Sequence, residues 1–301
     1  MEDVLRFSSI REYNAFNNHS TLHPLVSIVD LSKADPRELR RMAYDFYIVF
    51  LKQIHCGDLR YGLDIYDYEE GTLIFLAPGQ IIGENKKDNF YQPQGFALVF
   101  HPDLLLGTTL GRHMSDYTFF SYEVREALHL SEQERIIVKD CFSKIEYELS
   151  QRIDKHSKKL ISANIELFLD YCVRFYDRQF ITRDTVNKGI LEKFDGLLNE
   201  YFKSEKPAQI GLPTVAYCAE ALNLSSNYFG DLIKKETGKS AQEFIQMTII
   251  NMAKEKVFDL DKSVSEIAYE LGFKYPQHFS RLFKQRVGQT PNAYRLLKNP
   301  N

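Results

Sequence analysis

The last third of the chain carries one pattern twice. Val215, Ala219 and Leu222 return 49 residues later as Val264, Ala268 and Leu271, and Phe229, Leu232, Lys234 and Gly238 return 50 residues later as Phe279, Leu282, Lys284 and Gly288. Steps of three and four between apolar positions place them on one helical face. Each copy reads as a short helix, a turn, a longer helix and a glycine stop, since glycine adopts the left-handed conformation that ends a helix without steric cost. Ala219 and Ala268 leave room for the second helix to approach the first, and Leu224 and Phe273 fill the corner under each turn. The extra residue of the second copy falls in its turn. Two such patterns restrict this region to an all-α domain with two helix-turn-helix units.

Between the copies, Ser240 and Glu243 form a capping box, and Phe244, Ile245, Ile249, Met252, Ala253 and Leu260 make an apolar stripe. Ser263 and Glu266 form the same box at the start of the second copy. A spacer helix from Ala241 to Leu260 is expected, about 30 Å long at ~1.5 Å per residue. One DNA turn is about 34 Å, so helices held at the ends of this spacer would enter successive major grooves on one face. Charge agrees. The net charge is −3 overall, but from Val186 onward there are 16 Lys/Arg against 13 Asp/Glu, and before it 22 against 28. From Leu271 to Asn301 the bases Lys274, Arg281, Lys284, Arg286, Arg295 and Lys298 stand with no acid among them. A basic face of that kind suits phosphate contacts.

The segments "LPTVAYCAEALNLSSNYFGDLIKKETGKSAQEFI" and "SVSEIAYELGFKYPQHFSRLFKQRVGQTPNAYR" resemble the AraC/XylS-type transcriptional regulators, most specifically in "IAYELGF", "HFSRLFKQRVGQTP" and the closing Tyr294-Arg295. The resemblance runs from about Val186 to Lys298 and implies a DNA-binding domain of about seven helices. It implies that the second helix of each copy enters the major groove of double-stranded DNA. The first such helix is then Ser226–Glu236, with Asn227, Gly230 and Asp231 facing DNA and Ser225 near its N-cap. The second is Pro276–Val287, with Tyr275, Pro276, Gln277, His278, Arg281 and Lys284 near DNA. The chemistry fits in part: Gln277 suits adenine, Arg281 guanine or phosphate, and Lys284 phosphate. Asp231 and Gly230 depart from the basic or amide residues common there in the family, and a carboxylate near phosphates is unfavourable unless it accepts from a cytosine amine or pairs with a neighbouring lysine. Phe229, Leu232, Phe279, Leu282 and Phe283 are expected in the core.

The N-terminal half has a different texture. Runs rich in Val, Ile, Phe and Tyr at 44–54, 61–82 and 94–101, broken by Gly and Pro, predict short strands. "EGTLIFLAPGQ" and "GFALVFHPDLL" resemble, more loosely, the cupin-type sensor domain of these regulators. The first 20 or so residues are polar and expected to be loosely held. After Tyr117 the period turns helical. A capping box at Ser131 and Glu134 precedes a stripe of Val138, Cys141, Phe142, Ile145, Leu149 and Ile153, and a second stripe runs through Leu160, Ile161, Ile165, Phe168, Leu169, Cys172, Phe175 and Tyr176. Helices at 131–155 and 159–176 are expected to pack on their own domain or to build a homodimer. The expected fold class is α+β in two domains: residues 1–180 a small cupin-like β-barrel (about 20–115) with two following helices (about 120–180), a linker at 181–190, and an all-α DNA-binding domain at 191–298.

Composition excludes collagenous, low-complexity and fully disordered chains: 44% of residues are hydrophobic and 26% charged. No apolar run reaches the ~18–20 residues that span a bilayer, and the start Met1-Glu2-Asp3-Val4 lacks the order of a signal peptide. A cytoplasmic protein without membrane contact is expected. Cys56, Cys141, Cys172 and Cys218 form no C-x-x-C pair and are expected as reduced, buried thiols rather than a metal or redox site.

The leading expectation is a transcription factor, not an enzyme. It answers to a small-molecule effector or partner, needs no cofactor, and engages RNA polymerase if it activates. The alternative is a metal-dependent cupin enzyme fused to a DNA-binding module. Metal cupins display H-x-H with a nearby Glu, whereas His23, His55, His101 and His113 stand alone, and no G-x-S-x-G nucleophile motif occurs. A nucleoid-type binder without sequence choice is the third reading. The aromatics of the β region (Tyr44, Phe46, Tyr47, Phe50, Tyr61, Tyr66, Tyr68, Phe75) are expected mostly in its core, with a few left to line a ligand pocket.

Overall fold

The structure, a computed structural model, describes residues 4–52, 71–83, 86–123, 126–182 and 184–298. The chain divides into two compact units, Met1–Thr182 and Arg183–Asn301. The first is β-rich and the second helical, an α+β protein in two domains.

The N-terminal unit begins with strand β1 (Leu5–Phe7) and helix α1 (Ile10–Phe16). Strands β2 (Val26–Asp30), β3 (Arg37–Leu39), β4 (Met42–Tyr44) and β5 (Tyr47–Lys52) follow, then β6 (Thr72–Leu76), β7 (Ile81–Ile82), β8 (Lys86–Tyr91) and β9 (Phe96–Phe100). Short helices α2 (Pro102–Leu105) and α3 (Thr109–His113) lead to β10 (Leu128–His129) and to two long helices, α4 (Glu132–Ser150) and α5 (Ser157–Thr182). The described strands hydrogen-bond as three sheets: a five-stranded antiparallel sheet in the order β10-β6-β5-β9-β2, a three-stranded one β1-β4-β7, and the pair β3-β8. One core cluster joins Phe7, Ile10, Tyr13, Tyr44, Phe46, Ile48, Leu76 and Val99.

The opening residues are thus not loosely held. Phe7, Ile10 and Tyr13 are buried, with Phe7 stacked on Tyr44 and Tyr13 edge-on to Phe46. Three large apolar side chains in a polar stretch supply the burial that orders it. Strand β6 is buried at every position, which explains why "TLIFL" does not alternate. Phe119 and Tyr176 pack against its Phe75.

Helices α4 and α5 begin and end elsewhere than the stripes suggested. The Ser131 capping box forms, but α4 stops at Ser150, so Ile153 lies beyond it and is exposed. Helix α5 starts two residues early and runs six further. Its end is fastened to β10: Gln179 accepts from the His129 N–H at 2.8 Å, and Arg178 donates to the His129 carbonyl and to Glu134 at 2.6 and 2.7 Å. Those bonds hold the last turns helical where the apolar stripe has faded. Of the expected linker, residues 184–190 lie in helix α6 (Asp184–Lys203).

The C-terminal unit continues with α7 (Lys206–Ile210), α8 (Val215–Ala221), α9 (Ser226–Thr237), α10 (Ala241–Lys256), α11 (Val264–Glu270), α12 (Pro276–Val287) and α13 (Pro291–Lys298). Its core includes Phe194, Phe229, Ile249, Ala268, Phe279 and Phe283. The spacer α10 ends at Lys256 rather than Leu260, which is exposed. At ~1.5 Å per residue it is about 24 Å long. The stop comes from a distant side chain: Arg295 donates to the Val257 carbonyl at 2.6 Å and to the Lys262 carbonyl at 2.9 Å. The Val257 carbonyl at the end of α10 has no intrahelical partner and the guanidinium satisfies it, while the Lys262 carbonyl lies in the turn before α11.

Candidate nucleic-acid interface

Two helix pairs, α8–α9 and α11–α12, are built alike. In the first, the Thr214 hydroxyl accepts from the Tyr217 N–H, and the Ser263 hydroxyl does the same for Glu266 in the second. Each first helix turns its corner through one left-handed residue, Asn223 (φ +56°) and Gly272 (φ +90°). The next amide then donates back across the corner, Leu224 N–H to Ala219 O and Phe273 N–H to Ala268 O, both at 2.9 Å. Each second helix ends at a left-handed glycine, Gly238 and Gly288, as the repeat predicted.

The second helices differ at their starts. Helix α9 has Ser225 as its N-cap, its hydroxyl accepting from the Tyr228 N–H at 3.2 Å. Helix α12 starts at Tyr275 with no side-chain cap and has Pro276 in its first turn, where a missing N–H leaves nothing unsatisfied. The Tyr275 ring lies 5.4 Å from that of His278, and the Lys274 ammonium sits 5.8 Å from the Tyr275 centroid.

The sequence-derived residues fall into two groups. Asn227, Tyr275, Gln277, His278, Arg281 and Lys284 are exposed; Ser225, Gly230, Asp231 and Pro276 are half-buried. Phe229, Leu232, Phe279 and Phe283 are buried and Leu282 is half-buried. A Cβ built on Gly230 meets nothing within 4 Å, so this helical glycine is not required by packing. Two members of the basic stretch are engaged within the unit. Arg295 is turned inward as a helix cap, and Arg286 donates to Gln246 Oε1 at 2.8 Å. The free cationic character of α12 therefore centres on Arg281 and Lys284, which have no acidic partner among the described residues.

Sequence reasoning missed the residues that fix these helices. Asn187 of α6, almost wholly buried, donates to Glu236 Oε1 in the last turn of α9 at 3.1 Å. Tyr201 of α6 donates to the Gly211 carbonyl at 2.7 Å. The first of these partners is 49 residues away, and no local signal marks it.

The histidines of the N-terminal unit do not converge. His23 Nδ1 accepts from the Leu25 N–H, His101 Nδ1 caps α2, and His113 lies 3.2 Å from Glu166; His55 is outside the described residues. Among the described residues no three His, Cys, Asp or Glu side chains are grouped to hold a metal ion. Cys141, Cys172 and Cys218 are buried free thiols, and Cys56 is outside the described residues, as are Tyr61, Tyr66 and Tyr68. Burial pushes the Cys141 and Cys172 thiols up from their ordinary range and the Cys218 thiol up to about 11. No described helix is long and apolar enough to cross a membrane.

Residues 218–296 match a family described as a helix-turn-helix domain. The chain is 32% identical over 115 residues to the uncharacterized transcriptional regulator YtdP of Bacillus subtilis, covering 38% of this chain and 14% of that one. It is 30% identical over 144 residues to the uncharacterized regulator YfiF of the same organism, covering 47% and 41%. The chain thus spans less than half the length of either relative. Its C-terminal unit is a helix-turn-helix DNA-binding domain. Over the matched residues this domain is, more narrowly, of the AraC type. Among solved structures, the C-terminal domain of the response regulator yesN from Fusobacterium nucleatum aligns at 26% identity and TM-score 0.31, covering 35% of this chain and 95% of that domain.

Proposed function

We propose that the protein is a sequence-specific transcription regulator of the AraC/XylS type in which α9 and α12 read successive major grooves of double-stranded DNA. The observation that carries this is the pair of equivalent corners at Asn223 and Gly272, each presenting a second helix with exposed polar side chains. On α12, Gln277, His278, Arg281 and Lys284 supply base-edge and phosphate donors; on α9, Asn227 and Asp231 supply the polar groups, with Ser225 fixing the helix start. The N-terminal unit is the regulatory half, a cupin-like sensor for a small molecule or partner, and an activator would add RNA polymerase to the partners.

Self-association belongs to the same proposal. Ile136 and Tyr147 of α4 and Leu160 and Leu167 of α5 are exposed, and Ser143, Lys144, Tyr147, Glu148 and Asn164 line an open cleft. Exposed apolar side chains on both helices, beside a mostly polar cleft, suit contact with a second copy of the chain, and two copies double the DNA contacts of each binding event.

The test is selection of duplexes from a random library by the full-length protein, followed by footprinting. The expected result is one motif with two protected segments about one DNA turn apart. Equal affinity for all sequences would make the protein an unselective binder and overturn the reading. Stoichiometric iron, zinc or manganese in the purified protein, with turnover, would favour the cupin-enzyme alternative.

A further inference from the structure

The spacer α10 is shorter than one DNA turn, and it is not the sole link between the two helix pairs. Helix α6 reaches the first pair at three places. Asn187 bonds Glu236 at the end of α9, and the Phe194 ring lies 4.9 Å from Phe229 of α9 and 5.0 Å from Phe244 of α10. Tyr201 meets the Tyr217 ring of α8 at 5.3 Å. The same tyrosine hydroxyl holds the Gly211 carbonyl, just past α7. Gly211 in turn lies against the corner of the second pair: a Cβ on Gly272 would stand 2.8 Å from the Gly211 carbonyl carbon and 2.9 Å from its oxygen. Backbone meets backbone there, with no side chain to give way.

We propose that α6 and α7 form a second spacer that, with α10, fixes the distance and twist between α9 and α12, and that Asn187 and Tyr201 are its positioning residues. Two bodies joined by one helix twist about that helix; a second connection along a different line removes the freedom. The consequence is read by DNA. Inserting one base pair between two half-sites moves the second by ~3.4 Å and turns it by about 35° around the axis, since a turn takes about 10–10.5 base pairs. A reader with two connections rejects that displacement, and a reader with one accommodates it. Helix α6 is also the part of the DNA-binding unit nearest in sequence to the N-terminal unit, so a signal travelling along the chain meets this spacer first. The inference rests on the proposal that α9 and α12 read DNA.

The experiment uses the full-length protein and the duplex it selects from a random library, together with versions that carry one base pair more or fewer between the half-sites. Wild type is expected to lose about tenfold in affinity on either altered spacing, the size of one mismatched base pair. Asn187→Ala and Tyr201→Phe are expected to keep affinity for the selected spacing within about threefold while losing most of the discrimination. Glu236→Gln, which retains the accepting oxygen, is expected to discriminate as wild type does. Cooperative thermal unfolding of each variant shows that it is folded, and because Tyr201→Phe removes one hydroxyl it decides the matter if Asn187→Ala unfolds. Folded variants that discriminate as sharply as wild type, or that lose affinity equally on all three spacings, overturn the proposal. So does a wild type indifferent to spacing. A wild type that selects no duplex at all overturns the DNA-reading proposal itself, and it does so before any variant is measured.

Discussion

Asn223 and Gly272 hold the same place in two successive corners, both left-handed and each followed by an amide that reaches back 2.9 Å to an alanine carbonyl, yet Asn223 is exposed whereas Gly272 is buried against the Gly211 backbone. The pair is conformationally equivalent and sterically unequal. Substitution should expose the inequality. Asn223→Gly should change stability by less than about 1 kcal/mol, because both residues tolerate this conformation. Gly272→Ala should cost about 2 kcal/mol or more, adding the left-handed penalty of a side chain to its collision with Gly211. Denaturant midpoints of the two variants make the comparison, and equal losses would refute it.

Gly230 sets stability against binding. In a helix interior glycine costs about 0.5–1 kcal/mol relative to alanine, and the space around it is open. Gly230→Ala should therefore raise the unfolding free energy by about that amount. If α9 enters the groove with this face toward DNA, the added methyl should also weaken operator binding. A variant that is both more stable and equally tight in binding would show that the Gly230 face does not approach DNA.

Arg281 and Asp231 correspond at the 50-residue offset and carry opposite charges. Arg281→Ala should weaken operator binding by about 1–3 kcal/mol and, if the contact is to phosphate, reduce the salt slope by about one. Asp231→Ala should leave affinity equal or higher and relax base preference under α9. Titration of the operator across a salt series measures both. Equal weakening by the two substitutions would make the carboxylate a direct base reader.

Arg295 should behave as a structural residue despite its place in the basic stretch. Arg295→Ala strands the Val257 and Lys262 carbonyls and should cost about 1.5–3 kcal/mol, the range for hydrogen bonds to a charged group. The salt slope of the folded variant should not change. A lower slope would place Arg295 on phosphate.

Cys218 gives the C-terminal unit a pH signature. Its thiol, held up to about 11 by burial from an ordinary value near 9.0, stays neutral longer in the folded chain than in the unfolded one. The folded state then binds more protons between those values, so its stability is intact below the lower one and falls as pH rises through the upper one. Denaturant midpoints across this range should decline less steeply for Cys218→Ala than for wild type. Identical slopes would exclude the thiol as the cause.

What the sequence revealed of the C-terminal unit was local in origin. Pro276 and Gly288 bracket α12 at both ends, and the capping boxes at Ser240 and Ser263 sit where three-residue spacing put them, as does the one at Ser131 in the N-terminal unit. The misreadings were long-range. Helix α10 ends early because Arg295 caps it from 38 residues away, and residues 184–190 are helical where the apolar stripe lapses, with Asn187 secured to Glu236. The opening residues are ordered by Tyr44 and Phe46, which no window around Phe7 or Tyr13 contains. At the candidate site, residue type indicated which side chains suit DNA, but only the fold separated the exposed Arg281 and Lys284 from the inward Arg295.

The way each unit closes its contacts sets the order in which the two halves refold. Strand β1 pairs with β4 through Leu5 and Met42, and β6 pairs with β10 through Leu73 and Leu128, so the sheets of the first unit close only through contacts about 37 and 55 residues apart in sequence. In the second unit the caps and corners of the two helix pairs close over three to five residues, and only their mutual packing is long-range. Local contacts form orders of magnitude faster than sheet pairings of high sequence separation. When the whole chain refolds at once, the second unit is therefore expected to reach its native state while the first is still pairing strands. Pulse-labelled hydrogen exchange on the refolding full-length chain would resolve the two phases, with amides of α8–α12 protected before those of β6 and β10.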